Sequence, residues 1–402
     1  MNTNFDIIIV GGGAAGFFTA INIAEKNSNL KIAILERGKE VLTKVRISGG
    51  GRCNVTHACF VPSELVKNYP RGEKELRGPF NTFCSGDTIE WFEKRGVELK
   101  IEDDGRMFPV SNSSQTIIDC FVSETQKYGI QVLTNQSVQS IFKAEDYWKV
   151  ETNHENFACQ KLILTTGSNP KMWEMLQNME HSITDAVPSL FTFNIKDKRI
   201  KDLMGLSAFA NVKVKNSKLE ESGPLLITHW GMSGPGILKL SAWGAIELAA
   251  KNYQFAIEIN WLNDIATATV LENLKELKLE HAKKAVSKKS PFDFPNRLWE
   301  SLVLASEIDA ETKWSDLTKN QLQNLANQLT KAEFQVNGKS TFKEEFVTAG
   351  GIDLKEINFK TMESKLHDNL FFAGEIVNID AITGGFNFQN AWTSGFVLAQ
   401  NF

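Results

Sequence analysis

Cysteine is scarce in this chain and badly spaced for crosslinks. The five cysteines stand at positions 53, 59, 84, 120 and 159; no two are in C-x-x-C spacing, and residues 160–402 contain none. An odd count with that distribution argues against a disulfide framework and a cysteine zinc site, and favours a reducing compartment. A surplus of one charge is also missing. Lys and Arg number 44 and Asp and Glu 48, a net charge of −4. The global balance therefore predicts neither a nucleic-acid coat nor a membrane-surface protein, although a local basic groove stays open. Long hydrophobic runs are absent too. Phe5 to Ala24 is apolar, but Asp6 and Gly11-Gly12-Gly13 interrupt it, with no basic segment before it and no clear cleavage site after it. No other window reaches the roughly 18 apolar residues of a membrane span. The expectation is a soluble, cytoplasmic protein with no membrane partner.

What is present is ordinary globular material. Hydrophobic residues make up 42% and charged residues 23%, which excludes a mainly disordered chain, a coiled coil and a collagen-like repeat. At roughly 150 residues per domain, 402 residues allow two or three domains. Phe5 to Val10 reads as a buried parallel strand, Ala14 to Lys26 as a helix and Lys31 to Glu36 as a second strand, together a βαβ unit. Arg37 to Pro62 reads as a long Gly-, Ser- and Asn-rich loop, and loops of that length inside compact domains tend to be functional. Helices are expected at Thr88–Arg95 and Ser113–Tyr128, the latter capped by Ser113 or Asn112. Between them Gly96–Pro109 reads as a hairpin turning at Asp104-Gly105. Gln131–Val150 holds strands, and Lys161–Thr165 is a buried strand ending at Thr166-Gly167.

Near Pro188 the βαβ rhythm stops. Phe191–Ile195 and Asn211–Val214 alternate like half-exposed strands, while Ala266–Ser287 and Arg297–Leu329 look helical. At the C-terminus, Asn369–Glu375 is again a strand ending in a glycine, and a helix is expected from about Asn387 to Gln400. The middle therefore reads as an insertion into an α/β domain.

Three segments carry chemistry. Gly11-Gly12-Gly13-Ala14-Ala15-Gly16 is a G-x-G-x-x-G between strand and helix. Gly11 permits the tight turn, Gly13 lets backbone approach a pyrophosphate, and Gly16 allows close helix–strand packing. The helix N-terminus then receives the phosphate charge. Glu36 ends the next strand 20 residues after Gly16, where a carboxylate accepts from an adenosine ribose. The second segment is Lys44-Val45-Arg46-Ile47-Ser48-Gly49-Gly50-Gly51-Arg52-Cys53-Asn54, whose consecutive glycines can bring backbone N–H groups against a phosphate or a flat ring. The third is Gly374-Glu375, leading to Asp380 and then Gly384-Gly385-Phe386-Asn387-Phe388-Gln389. An acid after a strand suits a ribityl chain, and Gly-Gly at a helix N-terminus suits negative charge on the N1/C2=O edge of a reduced flavin. One dinucleotide held by both ends of the chain points to FAD and not NAD. The candidate cofactor-binding set is Gly11, Gly13, Ala14, Ala15, Gly16, Glu36, Arg37, Lys44, Ser48, Gly49, Gly50, Arg52, Cys53, Asn54, Val138, Thr166, Gly167, Gly374, Glu375, Asp380, Gly384, Gly385, Phe386, Asn387 and Gln389.

These segments, with Asp104–Pro109, Thr228–Pro235, Gly350-Gly351-Ile352 and Thr361–Lys365, resemble the bacterial BaiN/YhiN-type NAD(P)/FAD-dependent oxidoreductases, also called aminoacetone-oxidase-type FAD-binding enzymes. The matches run in order along nearly the whole chain, and G-G-G-R-C-N and G-R-x-F-P are the most specific. Phe386 departs from the Tyr usual in the family, and Asn378 stands near a position that is often Asp. The resemblance implies a Rossmann-like, glutathione-reductase-like FAD domain built from 1–190 and 341–402, with a β-barrel-plus-helices domain inserted at 191–340 and covering the flavin. It implies non-covalent FAD. NADH or NADPH is the candidate transient reductant; no second complete dinucleotide fingerprint is visible, so binding is transient or absent. The implied function is NAD(P)H-driven reduction of an activated C=C bond in a small molecule or a modified base. The alternatives are an amine oxidase using O₂ and a flavin-binding, RNA-associated protein, since some relatives are linked to reducing a uridine in ribosomal RNA.

Outside the cofactor set, Arg106 can hold an anionic substrate group or form a salt bridge over an apolar strand, and His229 can serve as an acid or base or as a structural histidine. These two are the catalytic candidates. Pro235 is expected at the first turn of a helix. Cys53 has no resolving partner, so packing near the flavin is favoured over redox chemistry. Lys283-Lys284 with Lys288-Lys289 forms a basic patch that reads as a solvated face, with RNA contact the lesser alternative. Trp230, Trp243 and Trp261 can line a site or pack a core. No metal site is expected.

Overall fold

The computed structural model describes residues 3–340 and 347–402. The chain divides into two compact units, Met1–Val187 with Lys343–Phe402, and Pro188–Phe342.

The first unit is built on a parallel sheet. Thr3–Val10 is a strand whose Ile7, Ile8 and Ile9 are essentially fully buried, as a strand covered on both faces must be. It pairs in parallel with Ile32–Leu35 on one side and Asn156–Leu164 on the other. Gln131–Leu133 extends the sheet beyond the first neighbour, and Leu370–Phe372 beyond the second. The strand from the C-terminal part of the chain thus lies beside strands from the N-terminal part. All five strands run parallel, and the first leads directly into Gly11-Gly12-Gly13. Helix Ala14–Lys26 packs against the C-terminal helix Phe386–Ala399. Their close approach needs Gly395, where a Cβ would meet Thr19 Oγ1 at 2.6 Å. A small three-stranded antiparallel sheet of Thr56–His57, Arg106–Pro109 and Leu99–Ile101 stands apart from the main sheet.

The second unit is a seven-stranded sheet in the spatial order 332–337, 254–260, 207–214, 220–227, 231–233, 192–194, 339–340. The two edge strands of that path, Ala332–Asn337 and Lys339–Ser340, are separated in sequence only by Gly338, so the sheet curls round on itself. Inward residues such as Val212, Ile257 and Phe334 form one core with Leu298, Trp299 and Leu325 from the helices Asn296–Ala305 and Lys319–Thr330.

Several local expectations need correction. The stretch 37–62 is not one loop. It contains helix Thr43–Gly51, whose regular turn breaks at Ser48 (ψ 148°) and at Gly49 and Gly50, both left-handed. The glycine richness that suggested a loop produces the break and does not prevent the helix. The helix expected at 113–128 begins at Gln115 with Ser114 in the cap position. The helical stretches 266–287 and 297–329 resolve into Thr267–Glu280, Asn296–Ala305 and Lys319–Thr330. The hairpin turn at Asp104-Gly105 is present, with Gly105 at φ +82°, and Pro235 opens helix Pro235–Trp243.

Candidate functional site

The glycine turn after the first strand separates its glycines by task. A Cβ on Gly16 would lie 2.1 Å from the Gly11 carbonyl oxygen, so this position is closed by packing. A Cβ on Gly11 would meet the Thr165 carbonyl oxygen at 2.6 Å. A Cβ on Gly13 would meet no protein atom within 4 Å. That open cradle lies at the N-cap of helix Ala14–Lys26, where backbone donors and the helix dipole favour an anion. The residues present fit a pyrophosphate there.

Glu36 stands at the end of the second strand with both carboxylate oxygens engaged. Oε2 accepts from Gly12 N at 2.9 Å, and Oε1 accepts from Gly38 N at 2.8 Å. It fixes the glycine turn, and each oxygen keeps further acceptor capacity. Arg37 beside it is exposed, and Val138 is half-buried at the start of strand Val138–Lys143. Thr166 and Gly167 follow the strand that ends at Leu164. Thr166 Oγ1 is buried without a hydrogen-bond partner, a polar atom left for a ligand. Gly167 faces Glu375, since a Cβ there would lie 3.6 Å from Glu375 Oε2. Glu375 in turn accepts from Lys44 Nζ at 2.6 Å and from Thr348 N at 3.1 Å. The structure therefore joins Lys44, Gly167 and Glu375 from three distant stretches of sequence. Gly374 allows Ala15 to approach, its absent Cβ being 2.9 Å from that of Ala15.

The break Ser48–Cys53 divides in the same way. Gly49 is closed by Phe108 and Asn54, whereas Gly50 and Gly51 face open space. Cys53 is fully buried, and burial pushes its thiol up to about 12 against a weaker opposing bond from Ser48. A buried, protonated thiol is a poor nucleophile, and Cys53 packs in the core. Asn54 reaches across to the third segment. With its amide oriented to satisfy both ends, its nitrogen donates to the Thr56 and Met107 carbonyls at 3.0 and 3.2 Å, and its oxygen accepts from Gly385 N at 2.9 Å.

That Gly385 caps helix Phe386–Ala399 at φ +94°, and a Cβ on it would press the Thr56 carbonyl at 2.6 Å. Asn387 closes the preceding turn by accepting from Ala381 N at 3.0 Å and donating to Ala381 O at 3.1 Å. Three of the expected cofactor residues make contacts within the protein. Gln389 is fully buried, with its oxygen accepting from Thr56 and Thr88 hydroxyls at 2.5 and 2.9 Å. Asp380 is fully buried in a two-point ion pair with Arg71, Nε to Oδ1 at 2.5 Å and a second contact from NH2 to Oδ2. Phe386 is buried and stacks on His57. These residues shape the helix N-terminus from behind.

Arg106 donates to Asp104 at 2.7 Å and pairs with Glu102 at 3.4 Å, while Arg52 pairs with Glu102 at 2.6 Å. Both guanidiniums lie over the buried ring of Phe108, at 3.9 Å for Arg52 and 5.4 Å for Arg106. Of the two readings of Arg106, the salt-bridged arginine over an apolar strand is the one this geometry carries. His229 lies in the second unit, exposed beside Trp230 at the turn before Gly231–Ser233. Trp230 and Trp243 are exposed, whereas Trp261 is core. Lys283, Lys284, Lys288 and Lys289 are all solvated, and Lys288 pairs with Glu311.

His57, Tyr69, Arg71 and Glu102 were missed from sequence. His57 directly follows the G-G-G-R-C-N-V-T run, and Tyr69-Pro70-Arg71-Gly72 has the make-up of a turn that presents side chains elsewhere. Both were usable signals. Among the described residues the five cysteines are free, no group of three His, Cys, Asp or Glu could hold a metal ion, and no helix is long and apolar enough to cross a membrane.

Comparisons with known proteins bear on the family and the fold. The family profile described as HI0933-like protein Rossmann domain matches residues 5–401. The ribosomal RNA dihydrouridine synthase of Escherichia coli (strain K12) is 28% identical over 411 aligned residues, covering 99% of this chain and 98% of its own length. The 3-dehydro-bile acid delta(4,6)-reductase of Clostridium scindens is 24% identical, covering 98% of this chain and 97% of its own. Among solved structures, a 3-ketosteroid delta1-dehydrogenase from Sterolibacterium denitrificans aligns with TM-score 0.53 at 10% identity, over 100% of this chain and 99% of that one. At that identity the likeness is one of fold.

Proposed function

The chain belongs to the HI0933-like Rossmann-domain family, and on that premise we propose that it is an FAD-dependent reductase that saturates an activated C=C bond. The observation that carries the reaction type is a shared bond change. Two relatives matched over nearly their full lengths have names describing different substrates, a uridine in ribosomal RNA and a bile acid. Both names describe addition of hydrogen across a C=C bond next to an electron-withdrawing group. FAD is supported by the open cradle at Gly13, the unpartnered Thr166 hydroxyl and the meeting of both chain ends at Lys44, Gly167 and Glu375.

When bound, FAD supplies hydride exchange between a reductant, NADH or NADPH in this proposal, and a carbon of the substrate. The chain does the rest. Gly13 lets backbone amides approach the pyrophosphate, and helix Ala14–Lys26 offers its N-terminal dipole. Glu36 holds the turn and offers acceptor capacity to the ribose. Lys44 places a cation and Glu375 a carboxylate beside Gly167. Gly384 and Gly385 give the turn before helix Phe386–Ala399 its shape, and the dipole of that helix favours negative charge at its N-terminus. Gly50 and Gly51 present bare backbone that can lie against a flat ring. Arg52 and Arg106 hold the hairpin through Glu102. His229, exposed in the second unit, is kept as a catalytic candidate on its residue type alone.

The test is anaerobic turnover. The flavin-loaded protein is mixed with NADPH or NADH and either a conjugated steroid enone or a uridine-containing RNA. The proposal expects nucleotide oxidation matched by saturated product. Failure of both nucleotides to reduce the flavin, with peroxide released from a small amine in air, would replace the reductase with an oxidase.

A further inference from the structure

The N-terminus of helix Phe386–Ala399 is held by a short segment that precedes it by more than 300 residues. Asn54 accepts from Gly385 N, and Trp392 Nε1 donates to the Val55 carbonyl at 2.8 Å. The Thr56 hydroxyl donates to Gln389, and the next residue is His57. The imidazole lies on the Phe386 ring with centroids 4.6 Å apart and planes 21° apart.

The slot for this ring is formed by missing side chains. A Cβ on Gly105 would lie 2.5 Å from His57 Cε1, and a Cβ on Gly384 would lie 3.5 Å from His57 Cδ2. The ring's Nε2 is 3.1 Å from the Asp104 carbonyl oxygen. A carbonyl can only accept, so Nε2 carries the proton in this contact whichever charge state the ring holds. The backbone of the Asp104-Gly105 turn thus fixes the plane of the imidazole, and the imidazole fixes the plane of Phe386. Phe386 is also gripped from its backbone, since Tyr69 OH donates to the Phe386 carbonyl at 2.6 Å. The stacking face, however, is supplied by His57.

We propose that His57 is a positioning residue for the flavin's pyrimidine edge, setting the Gly384-Gly385 turn and the first amides of helix Phe386–Ala399 through its stack on Phe386. This rests on the FAD reading above. A ring held on one face by a fixed imidazole keeps the turn from relaxing toward a conformation that would close the helix N-terminus. The strength with which that N-terminus stabilises a reduced, negatively charged flavin then depends on His57, although the imidazole acts only through Phe386.

Two substitutions separate this from a general packing role. His57→Ala removes the stack, and His57→Phe restores a ring on Phe386 while discarding the bond to Asp104. In the flavin-loaded protein, His57→Ala is expected to lower the flavin reduction potential, shift the visible band and weaken FAD binding about tenfold, as loss of one preorganised contact of roughly 1.4 kcal/mol does. His57→Phe is expected to return all three toward the parent. In the protein without flavin, amide hydrogen exchange of residues 384–388 should speed up in His57→Ala and not in His57→Phe, and this readout decides the matter even if the parent binds no FAD. Unchanged exchange and potential in His57→Ala, or a His57→Phe protein that behaves like His57→Ala, would overturn the proposal. A parent that takes up no FAD, with exchange behaving as described, would sink the FAD reading and with it the flavin role, leaving only His57's hold on the Gly384-Gly385 turn.

Discussion

Two glycine-rich turns serve the candidate site, and they divide their labour alike but were not equally readable. In Gly11–Gly16 the outer glycines are closed by backbone contacts and only Gly13 faces open space. In Gly49–Gly51 the first glycine is closed by Phe108 and Asn54, and the next two are open. A closed glycine gives the turn its shape, and an open one gives a ligand its surface. The first turn follows a spacing dictated by a strand meeting a helix, so each task could be assigned from position. The second is a broken helix whose shape depends on a hairpin some fifty residues further on, so its spacing alone said only that it was special.

The comparison can be broken most decisively at Gly16. Gly16→Val should fail to fold or lose more than about 3 kcal/mol, because its side chain would enter the Gly11 backbone; soluble yield and thermal melting measure it. Gly13→Val should keep the fold within about 1 kcal/mol and lose the flavin, which a visible spectrum and a melt read together. If Gly13→Val kept full flavin, the open cradle would not be the pyrophosphate site.

The buried pair that fastens the third segment comes next. Asp380→Asn should cost about 3–5 kcal/mol by leaving Arg71 facing a neutral group, with FAD affinity falling less than stability in denaturant titrations. Gly50→Ala should cost about 1 kcal/mol, since φ is +68° and space is available. A loss of flavin affinity larger than that strain explains would confirm the open glycines as contact surface.

The smallest effect is a control outside both turns. His181 is held below its ordinary pKa, first by burial and then by His367, against the raising effect of Glu356. Glu356 lies below the usual carboxylate range because bonds from Ser182 and His181 prevail over its burial. Neutral His181 accepts the Ser364 hydroxyl at Nε2 and donates from Nδ1 to Glu356. A histidine lowered on folding binds more protons unfolded, so its contribution is present above about pH 6.5 and is lost as pH falls from there toward its folded value. Glu356 adds loss in the same direction at lower pH. Melting temperature should therefore drop on acidification from pH 7, and His181→Gln should flatten the upper part of that drop without altering flavin content.

Much of the architecture was legible because local pattern and global fold agree. The buried run at Ile7–Ile9, the helix from Ala14, the Asp104-Gly105 turn and Pro235 at a helix start all follow from short-range rules. What was not legible depends on contacts across the chain. Arg71 meets Asp380 across 309 residues, and Tyr69 meets Phe386 across 317; neither leaves a local mark. Gln389 and Asp380 have the sequence signature of ligand contacts and the burial of structural ones, because a helix N-terminus offered to a ligand must itself be held from behind. The break at Ser48–Gly50 escaped because composition indicates glycine's freedom without indicating which φ it takes.

The decisive measurement is the visible absorption spectrum of the purified protein before and after anaerobic addition of NADPH or NADH. Bound FAD with a nicotinamide donor gives a two-banded oxidised flavin spectrum that bleaches. A colourless protein that takes up no added FAD would contradict the FAD reading.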